Sequence, residues 1–278
     1  MDLSIIIITL NNRNIHEECI ESIKRDTTSI SYEIIVVDNN SNDGTRSAIR
    51  SRYPDVALIE NKKNLGFSGA NNKGLKIAKG RYSVLLNDDT YIKENAFGKL
   101  AAFMDSETDV GICGPKLLNI DGSLQRQGSI LSSCKWRSKS PVEVGFVLGA
   151  CMFIRMAVIN KIGLLDENLF FYNDDLDLCK RARTAGFKVV YYPDAGIYHY
   201  GGYSSKKSPN MKLFVEGFRG GLYYCKKHYG SIIYSVYRAL LLIFTLAMLP
   251  FSLINKDKLN ACREILQIIL KEQIVSKT

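Results

Sequence analysis

Ile34-Ile35-Val36-Val37-Asp38-Asn39-Asn40-Ser41-Asn42-Asp43-Gly44-Thr45, residues 34–45, is the stretch on which the fold turns. Four successive β-branched apolar residues leave no polar face, so the segment suits a strand covered on both sides, as in a parallel sheet. It ends at an Asp and a run of Asn. Asp43-Gly44-Thr45 then has the chemistry of a turn followed by a helix start.

The same unit recurs on both sides. Upstream, Ser4-Ile5-Ile6-Ile7-Ile8-Thr9 is short and β-branched, and it runs into Asn11-Asn12. No basic segment precedes it, so it reads as a buried strand and not as a signal peptide. Downstream, strands are expected at 55–60 and 81–87, the latter holding Tyr82-Ser83-Val84-Leu85-Leu86. Helices are expected near 14–27, 43–53 and 68–79. This βαβ rhythm predicts an α/β fold, a Rossmann-like, mainly parallel sheet flanked by helices. Ligands bind such sheets beyond the C-terminal strand ends. Here those ends are Thr9-Leu10-Asn11-Asn12, Asp38 to Thr45, Asn61 to Asn72, and Asn87-Asp88-Asp89-Thr90. All are polar, and they are expected to converge on one edge.

Further on, residues 109–155 suggest more strands, with a turn at Asp121-Gly122. A helix is expected from near Asp174 to Ala185, stopped by Gly186, with strands at 187–192 and 196–200. From about 208 the pattern becomes helical, which divides the chain into 1–207 and a C-terminal helical extension, 208–278. Ala239 to Ile254 is almost purely apolar, with Pro250 near its end. It falls short of the ~20 residues of a spanning helix. Extension back to Ile232 supplies the length but takes in Tyr234, Ser235, Tyr237 and Arg238. Spanning, surface-lying and re-entrant arrangements all fit, as does a helical hairpin packed on the rest of the chain or in a dimer.

Composition narrows the partners. The chain has 278 residues and a formal charge of +9. Residues 180–278 hold 16 Lys and Arg against 5 Asp and Glu, while residues 1–179 hold 21 against 23. The basic excess therefore belongs to the last third, where an anionic membrane surface suits the apolar run better than nucleic acid does. Seven widely spaced cysteines without a C-x-x-C argue against a disulfide framework or a zinc site and fit a cytosolic setting.

Several residues carry chemistry. Asp38, at a buried strand end, suits a ribose hydroxyl or a base N–H; the plain alternative is a turn residue. Asn64-Leu65-Gly66-Phe67-Ser68-Gly69-Ala70-Asn71-Asn72 opens a helix without P-loop spacing. Asn87-Asp88-Asp89 offers hard oxygen ligands for Mg²⁺ or Mn²⁺, or else caps the next helix. Asp174, Asp175 and Asp177 crowd a helix start, where the dipole stabilises carboxylates and adjacent like charge raises a pKa toward general-base range. His199 ends an apolar strand and could add a nitrogen ligand.

In order, Ile35 to Ser41, Asn64 to Phe67 with Asn71 to Gly74, Leu85 to Thr90, Gly149 to Met152, Gly163 to Glu167, Asp174 to Cys179 and His199 resemble the family 2 glycosyltransferases, over about residues 3–205. The subgroup they look most like is the rhamnosyltransferase-like enzymes of bacterial surface polysaccharide assembly. The resemblance implies a GT-A fold, a nucleotide-sugar donor, a saccharide or polyprenyl-linked acceptor, and work at the inner face of the cell membrane. It implies Asp38, Asn39, Asn72 and Asp88 on the donor nucleotide, Asp89 with His199 on Mg²⁺ or Mn²⁺, and Asp175, or second to it Asp174, as the base. A single in-line displacement would invert the anomeric carbon. Two departures stand out. Asn87 occupies the place of the first Asp of the family's D-x-D motif, and Asp174 replaces a Glu. The competing classes are a nucleotidyltransferase, disfavoured because Thr9 to Arg13 holds no glycine, and a non-catalytic nucleotide-sugar or glycan-binding module. Association of two copies is left open.

Overall fold

The computed structural model describes residues 1–13, 15–128, 134–201, 211–253 and 255–271, with backbone only for Ile15 and His16. The 207/208 boundary and Ile254 lie outside the described residues. The chain separates into two compact units. The first comprises Met1–Leu65, Gly69–Leu165 and Asp175–Tyr203, and the second comprises Gly66–Ser68, Asp166–Asp174 and Ser204–Thr278.

The first unit opens with the expected alternation: β1 (Leu3–Thr9), α1 (Ile15–Asp26), β2 (Tyr32–Asp38), α2 (Thr45–Arg52), β3 (Ala57–Glu60), α3 (Gly66–Leu75) and β4 (Tyr82–Asn87). It continues with β5 (Thr90–Ile92), α4 (Ala96–Ser106), β6 (Val110–Leu118), β7 (Val142–Glu143), β8 (Cys151–Arg155), α5 (Met156–Ile162), α6 (Asp174–Thr184) and β9 (Lys188–His199). These strands form one sheet ordered β3-β2-β1-β4-β8-β6-β9-β5, with β7 on β9. From β3 to β4 every pairing is parallel. Beyond β4 the sheet is mixed: β8 runs antiparallel to both β4 and β6, while β6 runs parallel to β9. The two strands expected at 187–192 and 196–200 are a single strand, β9. A register shift against β6 between Pro115 and Lys116 explains the break in its apolar pattern.

Burial accounts for this arrangement. Ile5, Ile7, Val36 and Val84 are wholly buried and join Cys19, Ile20 and Ile23 of α1 and Phe97, Leu100 and Met104 of α4 in one cluster. The helical residues recur at three- and four-residue intervals, as one buried stripe requires. Each such aliphatic side chain contributes roughly 1.5–3 kcal/mol on leaving water.

The second unit is built on α7 (Met211–Ser252) and α8 (Lys256–Lys271). Gly230, at φ 74°, interrupts α7 with a conformation that other residues rarely adopt. Val215, Leu222, Cys225, Tyr234 and Leu241 of α7 bury against Ala261, Ile265, Ile268 and Ile269 of α8. The part of α7 before Gly230 also grips the segment Asp166–Asp174. Asp166 Oδ2 accepts from Tyr223 Oη at 2.8 Å and Lys227 Nζ at 2.7 Å, and Asn173 Nδ2 donates to the Gly217 carbonyl at 3.2 Å. Within the same unit Phe67 N donates to Phe170 O at 2.7 Å. Gly66, at φ 71°, must be glycine because a Cβ would run into that Phe170 carbonyl.

Candidate active site

Register brings three strand ends to one level. Thr9 of β1 pairs with Asp38 of β2, and Ile8 pairs with Asn87 of β4. The polar segments after these strands therefore leave the sheet side by side.

Asp38 is fully buried. Its Oδ2 accepts from the Asn40 and Ser41 amides at 3.1 and 3.0 Å and from Arg46 Nε at 2.6 Å. Its Oδ1 is buried without a partner. An unsatisfied buried acceptor costs about 1–3 kcal/mol, and a ligand N–H or O–H placed there would recover it. Asn39 and Asn72, expected on the nucleotide, have framework partners. Asn39 Oδ1 accepts from the Leu65 amide at 2.8 Å, and its Nδ2 donates to Asn64 Oδ1 at 2.7 Å, tying the loop after β2 to the loop before α3. Asn72 donates to Leu165 O at 2.9 Å and accepts from Leu165 N at 3.0 Å. Its neighbour Asn71 is buried with both amide atoms unpaired.

Asp88 and Asp89 are both buried. Burial pushes the Asp88 carboxyl up to about 7 against the pull of hydrogen bonds from Thr9 and Asn12, and the Asp89 charge adds to the rise. Asp89 Oδ1 lies 3.1 Å from His199 Nε2, and Asn87 Nδ2 approaches the same nitrogen at 3.4 Å. β5 and β9 bring this pair together, since Thr90 is the register partner of His199. No three His, Cys, Asp or Glu side chains gather as a metal cluster among the described residues. One carboxylate and one imidazole nitrogen nevertheless suit Mg²⁺ or Mn²⁺, which commonly take their remaining ligands from phosphate oxygens and water.

Asp175 reaches the same edge by a short path. The Asn87 amide donates to Ala150 O at 3.0 Å. The backbone of the next residue back, Gly149, is among the groups that act to lower the Asp175 pKa, and the Asp175 carboxylate accepts from Leu176 N at 2.8 Å. Burial outweighs these donors and raises the Asp175 carboxyl to about 6. Asp174, the first residue of α6, is buried. Tyr172 and Asn173 before it lie at φ 66° and 64°, and such strain in a side chain as large as Tyr costs roughly 1–3 kcal/mol. Asp177 is structural. Wholly buried, it pairs with Arg181 Nε at 2.7 Å, and Arg181 in turn donates to the Ile162 and Leu164 carbonyls.

Sequence reasoning did not single out Arg46 or Gln125, and it gave Asn71 and Gly149 no role of their own within the motifs that hold them. Gln125 Oε1 sits 2.7 Å from His199 Nδ1. No local pattern marks it, because it reaches His199 across 74 residues of chain. Arg46 had a weak signal, a cation in the first turn of the helix that follows Asp38.

The sequence profile described as Glycosyl transferase family 2 matches residues 4–163. The N-acetylglucosaminyl-diphospho-decaprenol L-rhamnosyltransferase of Mycobacterium tuberculosis is 27% identical over 232 residues, covering 71% of this chain and 76% of that protein. A low-salt glycan biosynthesis hexosyltransferase of Haloferax volcanii is 30% identical over 203 residues, 68% of this chain and 64% of that one. Among solved structures, a mannosyltransferase from Pyrobaculum calidifontis in complex with GDP-Man and Mn²⁺ superposes with a TM-score of 0.62 at 17% identity, covering 98% of this chain and 87% of that one. At that identity the match shows the shared fold.

Proposed function

The chain belongs to glycosyl transferase family 2, in its rhamnosyltransferase-like subgroup, and from that premise we propose that it is a metal-dependent, inverting enzyme moving a hexose from a dTDP- or UDP-sugar to a hydroxyl of a lipid-linked saccharide in surface polysaccharide synthesis. What supports this most is the convergence at one sheet edge of Asp38, whose buried Oδ1 has no partner, and of Asp89 with His199 Nε2 3.1 Å away. That sets an acceptor suited to a nucleoside beside two candidate cation ligands.

In this reading Asp38 Oδ1 accepts a hydrogen bond from the nucleoside. Asp89 and His199 would hold Mg²⁺ or Mn²⁺, which offsets the charge that builds on the departing diphosphate. Asp175 takes the proton from the acceptor hydroxyl. The freed oxygen bonds to the anomeric carbon on the face opposite the diphosphate. The bond from that carbon to the diphosphate oxygen breaks, and its electron pair leaves with the nucleoside diphosphate. A screen of UDP-, dTDP- and GDP-sugars for binding with Mn²⁺, followed by turnover on a polyprenyl-diphosphate-linked saccharide, tests the whole reading. Release of pyrophosphate in place of nucleoside diphosphate would move the protein to the nucleotidyltransferases. Binding without any turnover would make it a binding module.

Asp38→Asn keeps the shape of the side chain, but its carbonyl oxygen stays with the Asn40 and Ser41 amides and Arg46, so the amide NH₂ replaces Oδ1 and the acceptor for the nucleoside is lost. Charge-assisted hydrogen bonds contribute about 1.5–3 kcal/mol, so affinity for the nucleoside diphosphate is expected to fall roughly 10- to 100-fold. Turnover at saturating donor should fall much less. Unchanged affinity by calorimetry removes Asp38 from the donor site.

We also place the enzyme at the inner face of the membrane. One helix among the described residues, α7, is long and apolar enough to cross a bilayer, and little of its apolar stretch is buried. Ile232, Val236, Leu240 and Ile243 recur at three- and four-residue spacing and stand exposed. Lys256, Lys258 and Arg263 on α8 add the cations that anionic headgroups attract. The full chain is expected to float with anionic vesicles at low salt, and a chain carrying Val236→Glu and Leu240→Glu is expected to stay at the bottom of the gradient. Equal flotation of both, or none of the wild type, ends the membrane reading and leaves self-association to cover this face.

A further inference from the structure

His199 ends in a hydrogen-bond relay whose sense is fixed at its far end. Asp121 is exposed, and hydrogen bonds from the Ser123 hydroxyl and amide hold its carboxyl below the usual range, so it is ionised and can only accept. The Ser123 hydroxyl spends its proton on Asp121 Oδ1, 2.6 Å away. Its oxygen must then accept from Asn119, and Nδ2 is the Asn119 atom that faces it, at 2.9 Å. The other end of that amide, Asn119 Oδ1, accepts from Gln125 Nε2 at 3.2 Å, and the same Nε2 also points at the His199 carbonyl at 3.3 Å. Two acceptors on one side fix the Gln125 amide, so its Oε1 is turned to His199 Nδ1 at 2.7 Å. Nδ1 therefore carries a proton, and Nε2 is the nitrogen left to face Asp89 and Asn87.

We infer that Gln125 is a positioning residue for the cation site: with Asn119, Ser123 and Asp121 behind it, it sets the tautomer and ring orientation of His199 so that Nε2 presents a lone pair beside Asp89. The inference rests on the metal reading above. A histidine that binds a cation through one ring nitrogen needs the other to donate elsewhere, and loss of that outer partner typically weakens metal affinity roughly 10- to 100-fold. The relay holds on to β6 as well, since Gln125 N donates to Leu117 O at 2.9 Å, so the outer partner is anchored to the sheet independently of β9.

The test has two arms on the full chain. The protein has three histidines, so ¹⁵N-labelled imidazole spectra are simple enough to assign with a His199→Gln variant. Above the titration range, wild-type His199 is expected to carry its proton on Nδ1, which needs no other variant to be read. Mn²⁺ titration followed by electron paramagnetic resonance is the second arm. Gln125→Met, close in volume, is expected to weaken Mn²⁺ roughly 10- to 100-fold and to release the His199 tautomer, and Ser123→Ala, which loosens the relay at an exposed position, should give a smaller loss in the same direction. A proton on Nε2 in the wild type overturns the assignment, and so does Mn²⁺ affinity unaltered in Gln125→Met. Wild type that shows the Nδ1 proton yet takes up no Mn²⁺ overturns the metal reading itself.

Discussion

Replacing Asp175 by asparagine is expected to lower turnover by roughly two to four orders of magnitude, the scale of a lost general base, while donor affinity stays nearly unchanged. The amide keeps the size of the side chain but cannot take a proton. It can still accept from Leu176 N, so the local backbone should hold. The wild-type pH profile carries the same information. A carboxyl raised to about 6 by burial is a base only when ionised. Turnover should therefore rise with pH up to about 6, then level, and be lost again as pH falls below that value. The acid limb should disappear from the residual activity of Asp175→Asn. If Asp175→Asn turns over normally and Asp174→Asn does not, the base is Asp174.

Asp89→Ala is the second large effect, with most activity and most Mn²⁺ binding lost together. Asp89 is the only carboxylate found within hydrogen-bond reach of His199 Nε2 among the described residues, and the other side chain that approaches this nitrogen, Asn87, is a neutral amide. The site has little redundancy, so alanine leaves a single imidazole against a cation that prefers oxygen. Loss of a buried carboxylate next to Asp88 also relieves like-charge repulsion, so the fold should survive. Activity and an unshifted thermal transition are the measurements, with wild type in excess EDTA as the parallel. Full turnover in EDTA refutes the metal.

The fold was legible because its signals are local. Runs such as Ile34 to Val37 and Ser4 to Thr9 could be nothing but two-sided strands, and their polar ends placed the site edge before any coordinates. The mixed half of the sheet was not legible, since β8 pairs with β4 and β6 out of chain order and no local pattern states the direction of such a pairing. Site residues divided the same way. Asp38, Asp89, Asp175 and His199 stand at or beside element ends, where the sequence marks them as candidates. Their supports carry no such mark: Gln125 reaches His199 across a long stretch of chain. Nor does the sequence show that the amide of Asn72, expected on the nucleotide, is matched to both backbone groups of Leu165. A type of residue announces what it could bond, and only the fold decides which partner reaches it first.

The grip of α7 on Asp166–Asp174 bears on how a soluble enzyme is to be made. Deleting the tail to avoid detergent looks safe when the tail is taken for an anchor. It would also strip Tyr223 and Lys227 from Asp166 and the Gly217 carbonyl from Asn173, two residues upstream of Asp175. The shortened protein would keep Asp38 and its loop intact and so pass as active in a nucleotide-binding assay while transferring sugar poorly. Trimming after Gly230 spares those contacts but removes Tyr234, Leu241 and the whole of α8, and so strips Val215, Leu222 and Cys225 of the apolar side chains they pack with. Solubility is better sought by recolouring the outward residues of α7 than by shortening the chain.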